Sequence, residues 1–338
     1  MSTKETVFFT GGAGFIGMHV IPMLLEKDYK VRVFDNMFRG DRDAVAALGD
    51  DVELIDQDVR YGGAVHAAMK GCSKVIHAAA VSINKSQADP YESMDINMIG
   101  NHNVFAAAAD HGVDRLVYCS SASVYGDPET LPMHEDDRLD PLTPYCIAKR
   151  AGEDLLGFYE RRAGLSWIAL RFFNVYGPGQ KTTAYYTSVI NHFVNRIKNG
   201  EPPVIDGKGE QSMDFIHVHD IARSIVLALE SEKDNVPINI GTGIDTSIAD
   251  LARILIDAVG ADVEPIFNRA TCSSVAGRRR PSGQGRARLR ADHPGPRRHD
   301  RPDPRAVSAS LPPTRGTSTP GWSGILSSVK APGSVPSP

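Results

Sequence analysis

The chain has 338 residues, 41% of them hydrophobic and 23% charged, which suits one large globular domain or two interleaved ones and excludes a chain too polar to bury a core. Its formal net charge of -4 hides a split: residues 271–338 carry twelve Lys/Arg against three Asp, and the rest carries 25 basic and 38 acidic residues. A body near -13 beside a tail near +9 argues against nucleic acid as the main partner of the body.

The cysteines Cys72, Cys119, Cys146 and Cys272 have no paired spacing that would hold a metal, and they read as reduced, partly buried thiols. No charged-then-apolar leader opens the chain, and no apolar run reaches the roughly 18 residues of a membrane span. The expectation is a cytoplasmic protein with neither membrane nor nucleic-acid partner.

Thr6–Thr10 is a short apolar run that meets Gly11-Gly12-Ala13-Gly14-Phe15-Ile16-Gly17. An apolar stripe at helical spacing follows at Ile16, Val20, Met23 and Leu24, then a second run over Lys30–Asp35. This is strand, glycine turn, helix and strand, a unit with a right-handed crossover. Pro22 falls inside the helix and removes a hydrogen bond there, so a kink or local adjustment is expected. Gly11 permits the tight turn, Gly14 lets a pyrophosphate approach the backbone, and Gly17 lets the helix pack on the sheet, with phosphates at the helix N-terminus. Asp35, at the end of the second strand, can accept both ribose hydroxyls of NAD and repels the extra phosphate of NADP. The unit predicts dinucleotide binding, with NAD as the cofactor.

Further apolar runs at Val52–Ile55, Lys74–Ala80 and Arg115–Ser121 alternate with helical stretches that include Ala64–Lys70 and Tyr91–His111. That alternation predicts an α/β fold with a doubly wound parallel sheet, whose ligands lie off the carboxyl ends of the strands. Asp58, Ala78, Ala79, Ala80, Asn97 and Ser120–Ser123 fall at or near those ends or on adjoining helices. Next come a helix from Tyr145 to about Gly164, a strand Leu165–Arg171, and a helix pattern over Ala184–Asn199. A run from Met213 to Asp220 leads into a helix ending at Glu230, followed by a strand Val236–Ile240 and a helix Ser247–Val259. Residues 1–180, with 213–242 returning to them, form the expected dinucleotide domain; 181–212 and 243–270 form a smaller interleaved substrate lobe. His217 and His219 alternate along a strand and read as ordinary histidines rather than metal ligands.

Tyr145 and Lys149 are four residues apart on a helix and so share one face. An ammonium beside a phenol favours the phenolate, so Tyr145 can serve as a general base near neutrality. Alone this spacing says little, since Tyr and Lys fall so by chance in many chains.

In company with the other motifs it says more. The chain resembles the extended short-chain dehydrogenase/reductases, specifically the NAD-dependent sugar-nucleotide epimerase/dehydratase group and its UDP-glucose 4-epimerase-like members. The matching pieces are Thr10–Gly17, Asp35-Asn36, Asp58-Val59, His77–Ala80, Asn97, Ser120–Gly126, Tyr145 with Lys149, Arg171–Pro178, Asp214–Asp220 and Asn239–Gly243. The resemblance implies a Rossmann fold, a homodimer through the long helices near 91–111 and 145–163, and a UDP-sugar substrate. It implies NAD contacts from Gly11, Gly14, Phe15, Ile16, Gly17, Asp35, Asn36, Asp58, Val59, Ala78, Ala79, Ala80, Asn97, Tyr145 and Lys149. By the same resemblance Tyr145 is the catalytic base and acid, Lys149 holds the nicotinamide ribose, Ser121 helps shuttle the proton, and Asn174 contacts the substrate diphosphate. Lys85 and Ser123 complete the implied substrate contacts. The chemistry implied is removal of the 4-hydroxyl proton and C4 hydride, turning of the 4-keto sugar, and return of hydride to its other face.

The group's 4,6-dehydratases carry an Asp-Glu pair directly after the catalytic Ser/Thr. Here those positions are Ala122 and Ser123, neither of which is a carboxylate acid, so dehydration is disfavoured. Decarboxylases of UDP-glucuronate stay open as a rival. Many members place an arginine where this chain has Met213, and Lys85 or Lys181 is the candidate cation to compensate.

The tail departs further. Residues 271–338 hold eleven Arg, eleven Pro and no Glu, Phe or Tyr, with Leu, Ile, Val and Phe making only eight of 68 residues, too few to bury a core. Disorder is the expectation. Regrouping the codons of Ala270–Ala276 by one base can encode Asp-Val-Leu-Val-Ser-Arg, which resembles the family's continuation, so the tail reads as the product of a frame shift near Arg269–Ala270. A genuine disordered tail, and a basic tail that binds nucleic acid or an anionic membrane, are the alternatives. On the frame-shift reading the cofactor half and the Ser121, Tyr145 and Lys149 group are whole, while part of the nucleotide-sugar pocket is lost.

Overall fold

The computed structural model describes residues 4–180 and 189–268. The expectations for Lys181, for the first turn of the 184–199 helix and for the tail lie outside the described residues.

The chain begins as alternating strands and helices: β1 (Thr6–Thr10), α1 (Gly17–Glu26), β2 (Lys30–Asp35), α2 (Arg42–Ala46), β3 (Val52–Asp56), α3 (Gly62–Met69) and β4 (Lys74–His77). Two short helices follow, α4 (Ile83–Ala88) and α5 (Pro90–Met94), then a π-turn at Asp95–Ile99 that runs into α6 (Gly100–His111). β5 (Arg115–Ser121) ends in a 3-10 turn at Ala122–Tyr125, and α7 (Pro144–Ala163) leads to β6 (Trp167–Phe172) and β7 (Asn174–Tyr176). The remaining elements are α8 (Val189–Lys198), β8 (Val204–Asp206), β9 (Ser212–Met213), β10 (Phe215–His217), α9 (Val218–Glu230), β11 (Val236–Ile240), β12 (Thr246–Ser247), α10 (Ile248–Val259) and β13 (Ile266–Asn268).

Seven strands pair in parallel in the order β11-β6-β5-β4-β1-β2-β3. Both faces of such a sheet are covered, which is why its strands read as near-continuous apolar runs. Along β1, Val7 and Phe9 face one way into a core with Val20, Ile21 and Leu24 of α1 and Ile221, Ile225 and Leu229 of α9. Phe8 faces the other way, into a core with Val65 and Met69 of α3, Val104 and Phe105 of α6, and Leu156 of α7. Each such side chain, fully buried, stabilises the fold by about 1.5–3 kcal/mol. The strand order reverses between β1 and β4, which opens a crevice above their carboxyl ends. The doubly wound parallel sheet is therefore present, with α8 packed against α10, β8 paired to β13 and β9 to β12 beyond it.

Three local features differ from the sequence pattern. The run predicted to extend from Lys74 to Ala80 ends as a strand at His77. Beyond it the Asn97 amide takes both backbone groups of Val81, accepting from its N–H at 2.9 Å and donating to its carbonyl at 3.3 Å. The stretch predicted as one helix from Tyr91 to His111 is three pieces, because the π-turn inserts an extra residue where buried Asn97 meets Val81. Finally, α1 runs unbroken through Pro22.

Candidate active site

The glycine turn is built by close approach. Gly11 lies at φ +72°, and a Cβ there would stand 2.6 Å from the Ala79 nitrogen, so only glycine lets β1 pass the end of β4. A Cβ on Gly17 would strike the Gly12 carbonyl oxygen. Its role is thus to let α1 close on the turn itself, rather than on the strands as the sequence suggested. Gly14 differs from both: the nearest heavy atom to a Cβ there is the Gly11 oxygen at 3.1 Å, and no other lies within 4 Å. The turn is tight below and open above Gly14, which fits a pyrophosphate at the N-terminus of α1. Phe15 and Ile16 occupy that N-terminus, Ile16 as the capping residue and Phe15 edge-on to His19.

Asp35 closes β2 as expected. Its carboxylate accepts the N–H groups of Ala13 at 3.1 Å and Met37 at 2.9 Å, one on each oxygen, and keeps a lone pair on each for a ribose. Burial pushes its pKa up, opposed by those two backbone hydrogen bonds. Beside it, Asn36 donates to Asp58 at 2.9 Å, and Arg60 pairs with the same carboxylate at 2.9 Å. Burial opposes ionisation of Asp58, yet the Arg60 and Asn36 contacts outweigh it and hold its pKa below the usual carboxylate value. Val59 is buried against Gly100. Ala78 and Ala79 are half-buried and Ala80 is exposed, forming a small-residue floor at the switch point. These residues thus gather at the carboxyl ends of β1, β2 and β4, where a doubly wound sheet takes its dinucleotide.

The second group gathers where β5 meets α7. Thr143 caps α7 by accepting the Cys146 N–H at 3.3 Å, and Pro144 opens it, which places Tyr145 on the first turn. The Tyr145 backbone N–H donates to Ser86 Oγ of α4 at 3.3 Å. Tyr145 is half-buried, with the Ser121 hydroxyl near enough to its phenol to act on its ionisation. Ser123 donates to Ser121 Oγ twice, from its hydroxyl at 2.9 Å and from its N–H at 3.2 Å. Lys149 is buried on the same face of α7, with Nζ donating to the Cys119 carbonyl at 2.6 Å and standing 5.7 Å from the centre of the Tyr145 ring.

The electrostatics differ from the sequence expectation that Lys149 lowers the phenol. Burial pushes Tyr145 up to about 12, opposed by the nearby Ser121 hydroxyl. Burial also brings Lys149 down to about 8.

The structure therefore brings Ser121, Ser123, Tyr145 and Lys149 together. Lys85 sits on α4 next to Ser86 and forms an ion pair with Glu92 at 2.6 Å. Asn174 is exposed on β7 and donates to the Asp214 carbonyl at 3.0 Å. Asn97 faces the backbone of Val81, shaping the floor that begins at Ala78.

Two buried networks behind the site escaped the sequence reading. Glu153, one turn beyond Lys149, accepts from Arg171 at 2.7 Å and 3.1 Å and from Ser120 at 2.6 Å. Its spacing of four from Lys149 was the available signal. In the other, Thr10 donates to His77 Nδ1 at 2.6 Å, and His77 Nε2 donates to Asn101 at 2.9 Å. Asn101 then donates to the Tyr118 hydroxyl at 3.0 Å and the Ala148 carbonyl at 3.3 Å, linking β1 to the helix of Lys149.

A model of the NAD dependent epimerase/dehydratase family matches residues 7–241. The solved UDP-glucose 4-epimerase of Thermotoga maritima with UDP-glucose is 32% identical, with a TM-score of 0.74 over 80% of this chain and 87% of that one. The UDP-glucose 4-epimerase of Thermus thermophilus, solved with NAD, is 31% identical, with a TM-score of 0.70 over 78% of this chain and 86% of that one. UDP-glucuronic acid decarboxylase 1 of Xenopus tropicalis is 30% identical over 272 residues, 78% of this chain and 62% of that relative. With its glycine crevice and its Tyr145 and Lys149 helix in the expected places, the chain belongs to the NAD dependent epimerase/dehydratase family.

Proposed function

We propose that the protein epimerises a UDP-sugar at C4 through a transient 4-keto sugar. The observation that carries this reading is the gathering of Ser121, Ser123, Tyr145 and Lys149 where β5 meets α7, with Ala122 and Ser123 in place of carboxylates. Tyr145 removes the proton of the sugar 4-hydroxyl and later returns it, and Ser121 holds the phenolic oxygen in line. Lys149, buried with its charge, fixes the ribose side of the pocket and offsets the phenolate. NAD, when bound, takes up the C4 hydride and gives it back to the opposite face. Asp35 and the open face of Gly14 hold its ribose and pyrophosphate. Asn174, Lys85 and Ser123 are the proposed contacts to the nucleotide sugar, with 181–212 and 243–270 as the substrate lobe.

A homodimer belongs to this reading. Tyr91, Ile99, Ile147 and Phe158 are exposed on α5, the π-turn and α7, and a second copy would cover them. No helix among the described residues is long and apolar enough to cross a membrane.

The test is incubation of the purified protein with UDP-galactose and with UDP-N-acetylgalactosamine, without added reductant, while NMR follows the anomeric signals. Conversion to the gluco forms supports the reading, and no conversion by protein that holds NAD removes it. The likeness to the Xenopus tropicalis decarboxylase favours a second reading, loss of carbon dioxide from UDP-glucuronate, which the same NMR measurement run with UDP-glucuronate as substrate detects as a UDP-pentose.

A further inference from the structure

Both polar atoms of the Asn101 side chain are spent inside the protein, and each of their bonds has one possible direction. The Ala148 carbonyl can only accept, so the Asn101 amide nitrogen is the atom turned to α7, at 3.3 Å. The second proton of that nitrogen goes to the Tyr118 hydroxyl at 3.0 Å. The amide oxygen therefore faces His77 Nε2 at 2.9 Å, which must carry the ring proton and leaves Nδ1 to accept from Thr10 at 2.6 Å. Thr10, His77 and Asn101 are all buried, and burial pulls His77 down to about 3, so its ring is neutral and holds a single N–H.

The two groups that Asn101 grips are also the two that place Lys149. Ala148 precedes Lys149 on α7, and Tyr118 precedes Cys119 on β5. Lys149 Nζ lies 4.8 Å from the centre of the Tyr118 ring and donates to the Cys119 carbonyl at 2.6 Å. Nearly one turn farther along, Gly152 sits in the interior of α7, where a glycine weakens a helix. A Cβ there would stand 2.5 Å from the Tyr118 hydroxyl oxygen and 2.8 Å from the Asn101 amide nitrogen. Asn97, in the preceding turn, is spent on the Val81 backbone instead. We propose that Asn101, oriented by His77, is a positioning residue: it holds the backbone and the aromatic bed of Lys149 in register, and Gly152 is the notch that lets it reach α7. The proposal rests on the proposed function for what Lys149 does, and on these hydrogen bonds for how Lys149 is held.

The test reads His77 and Lys149 by NMR in protein saturated with NAD, without turnover. With labelled histidine nitrogens, the His77 signal, assigned by its loss in His77→Gln, is expected in the Nε2–H form; the Nδ1–H form overturns the proposal. With labelled lysine ε-carbons, Lys149 is assigned by its loss in Lys149→Arg. Asn101→Leu keeps the bulk and removes the amide, and the order parameter of the Lys149 ε-carbon is expected to fall by roughly a third. Gly152→Ala leaves Asn101 in place and favours the helix, yet is expected to loosen Lys149 in the same direction; it is the deciding variant if Asn101→Leu does not fold. An unmoved Lys149 in either folded variant overturns the proposal, and so does a loss of order that extends through the backbone of the sheet, which is a packing defect. In conversion of UDP-galactose, kcat of Asn101→Leu falls about tenfold to a hundredfold while KM stays within about twofold, and an unchanged kcat overturns the proposal. Wild-type protein that fails to convert UDP-galactose removes the epimerase reading and leaves both NMR measurements standing.

Discussion

Substitution of Glu153 by glutamine tests how firmly α7 is held to the sheet. The Glu153 and Arg171 side chains are 8% and 3% exposed and meet at 2.7 Å, with Ser120 adding a third hydrogen bond to the carboxylate. Removing one charge of a buried pair costs about 3–5 kcal/mol, because the other is left desolvated and unpaired. Arg171 still donates to the Tyr125 hydroxyl at 2.7 Å and to the Glu135 carbonyl at 2.9 Å, so the lower end applies, about 3 kcal/mol. At about 2–4 °C per kcal/mol for a domain of this size, Glu153→Gln lowers Tm by roughly 6–12 °C in calorimetry. Glu153→Leu and Arg171→Met each lower it by at least as much. Their combination removes both charges at once, and lies about 2 kcal/mol or more above the sum of the two singles. If the double variant equals that sum to within about 0.5 kcal/mol, the pair is not coupled and the reasoning fails.

Other outcomes follow from the same geometry. Gly17→Ala puts a Cβ on the Gly12 carbonyl, so calorimetric NAD affinity falls about tenfold or more, and an unchanged affinity would refute the tight-turn argument. His77 is fully buried and pulled down to about 3 from the ordinary 6.5, chiefly by burial and by the nearby Lys149 charge. Below pH 6.5 the unfolded chain gains a proton the folded chain refuses, so stability declines by about 1.4 kcal/mol per pH unit until about 3. His77→Gln, which does not titrate, shows a shallower decline in urea midpoints between pH 6 and 4. Asp35→Ser removes the charge that repels a 2′-phosphate, so the ratio of NAD to NADP affinity falls about tenfold in fluorescence titration. Met213 is 39% exposed at the end of β9; Met213→Arg adds a cation there and, on the proposed function, strengthens UDP binding in calorimetry by about three- to tenfold.

The sheet was legible because its inner strands are covered on both faces, so Thr6–Thr10 and Arg115–Ser121 stand out as apolar runs with the bounds the structure gives them. The glycine turn and Asp35 were legible for a similar reason, since each depends on neighbours close in sequence. What stayed hidden depends on partners far along the chain. Lys149 donates to a carbonyl thirty residues earlier, and no spacing announces a backbone acceptor. Glu153 could be placed on the Tyr145 face of α7, but its partner Arg171 lies on a strand whose apolar pattern conceals a buried cation. The π-turn was missed because apolar residues over 91–111 keep helical spacing on either side of it, while its cause is the pairing of Asn97 with Val81, sixteen residues away.

The position of β11 has a bearing on how the chain emerges from the ribosome. β11 is the outermost strand beside β6, yet it follows α9 in sequence, so everything through Glu230 can fold and still leave the backbone of β6 with a bare edge. An unpaired, apolar strand edge is a template for other chains. Translation that pauses or stops between Glu230 and Ile240 therefore releases a molecule with its cofactor half assembled and its sheet unfinished, and chaperones have most to do over those ten residues.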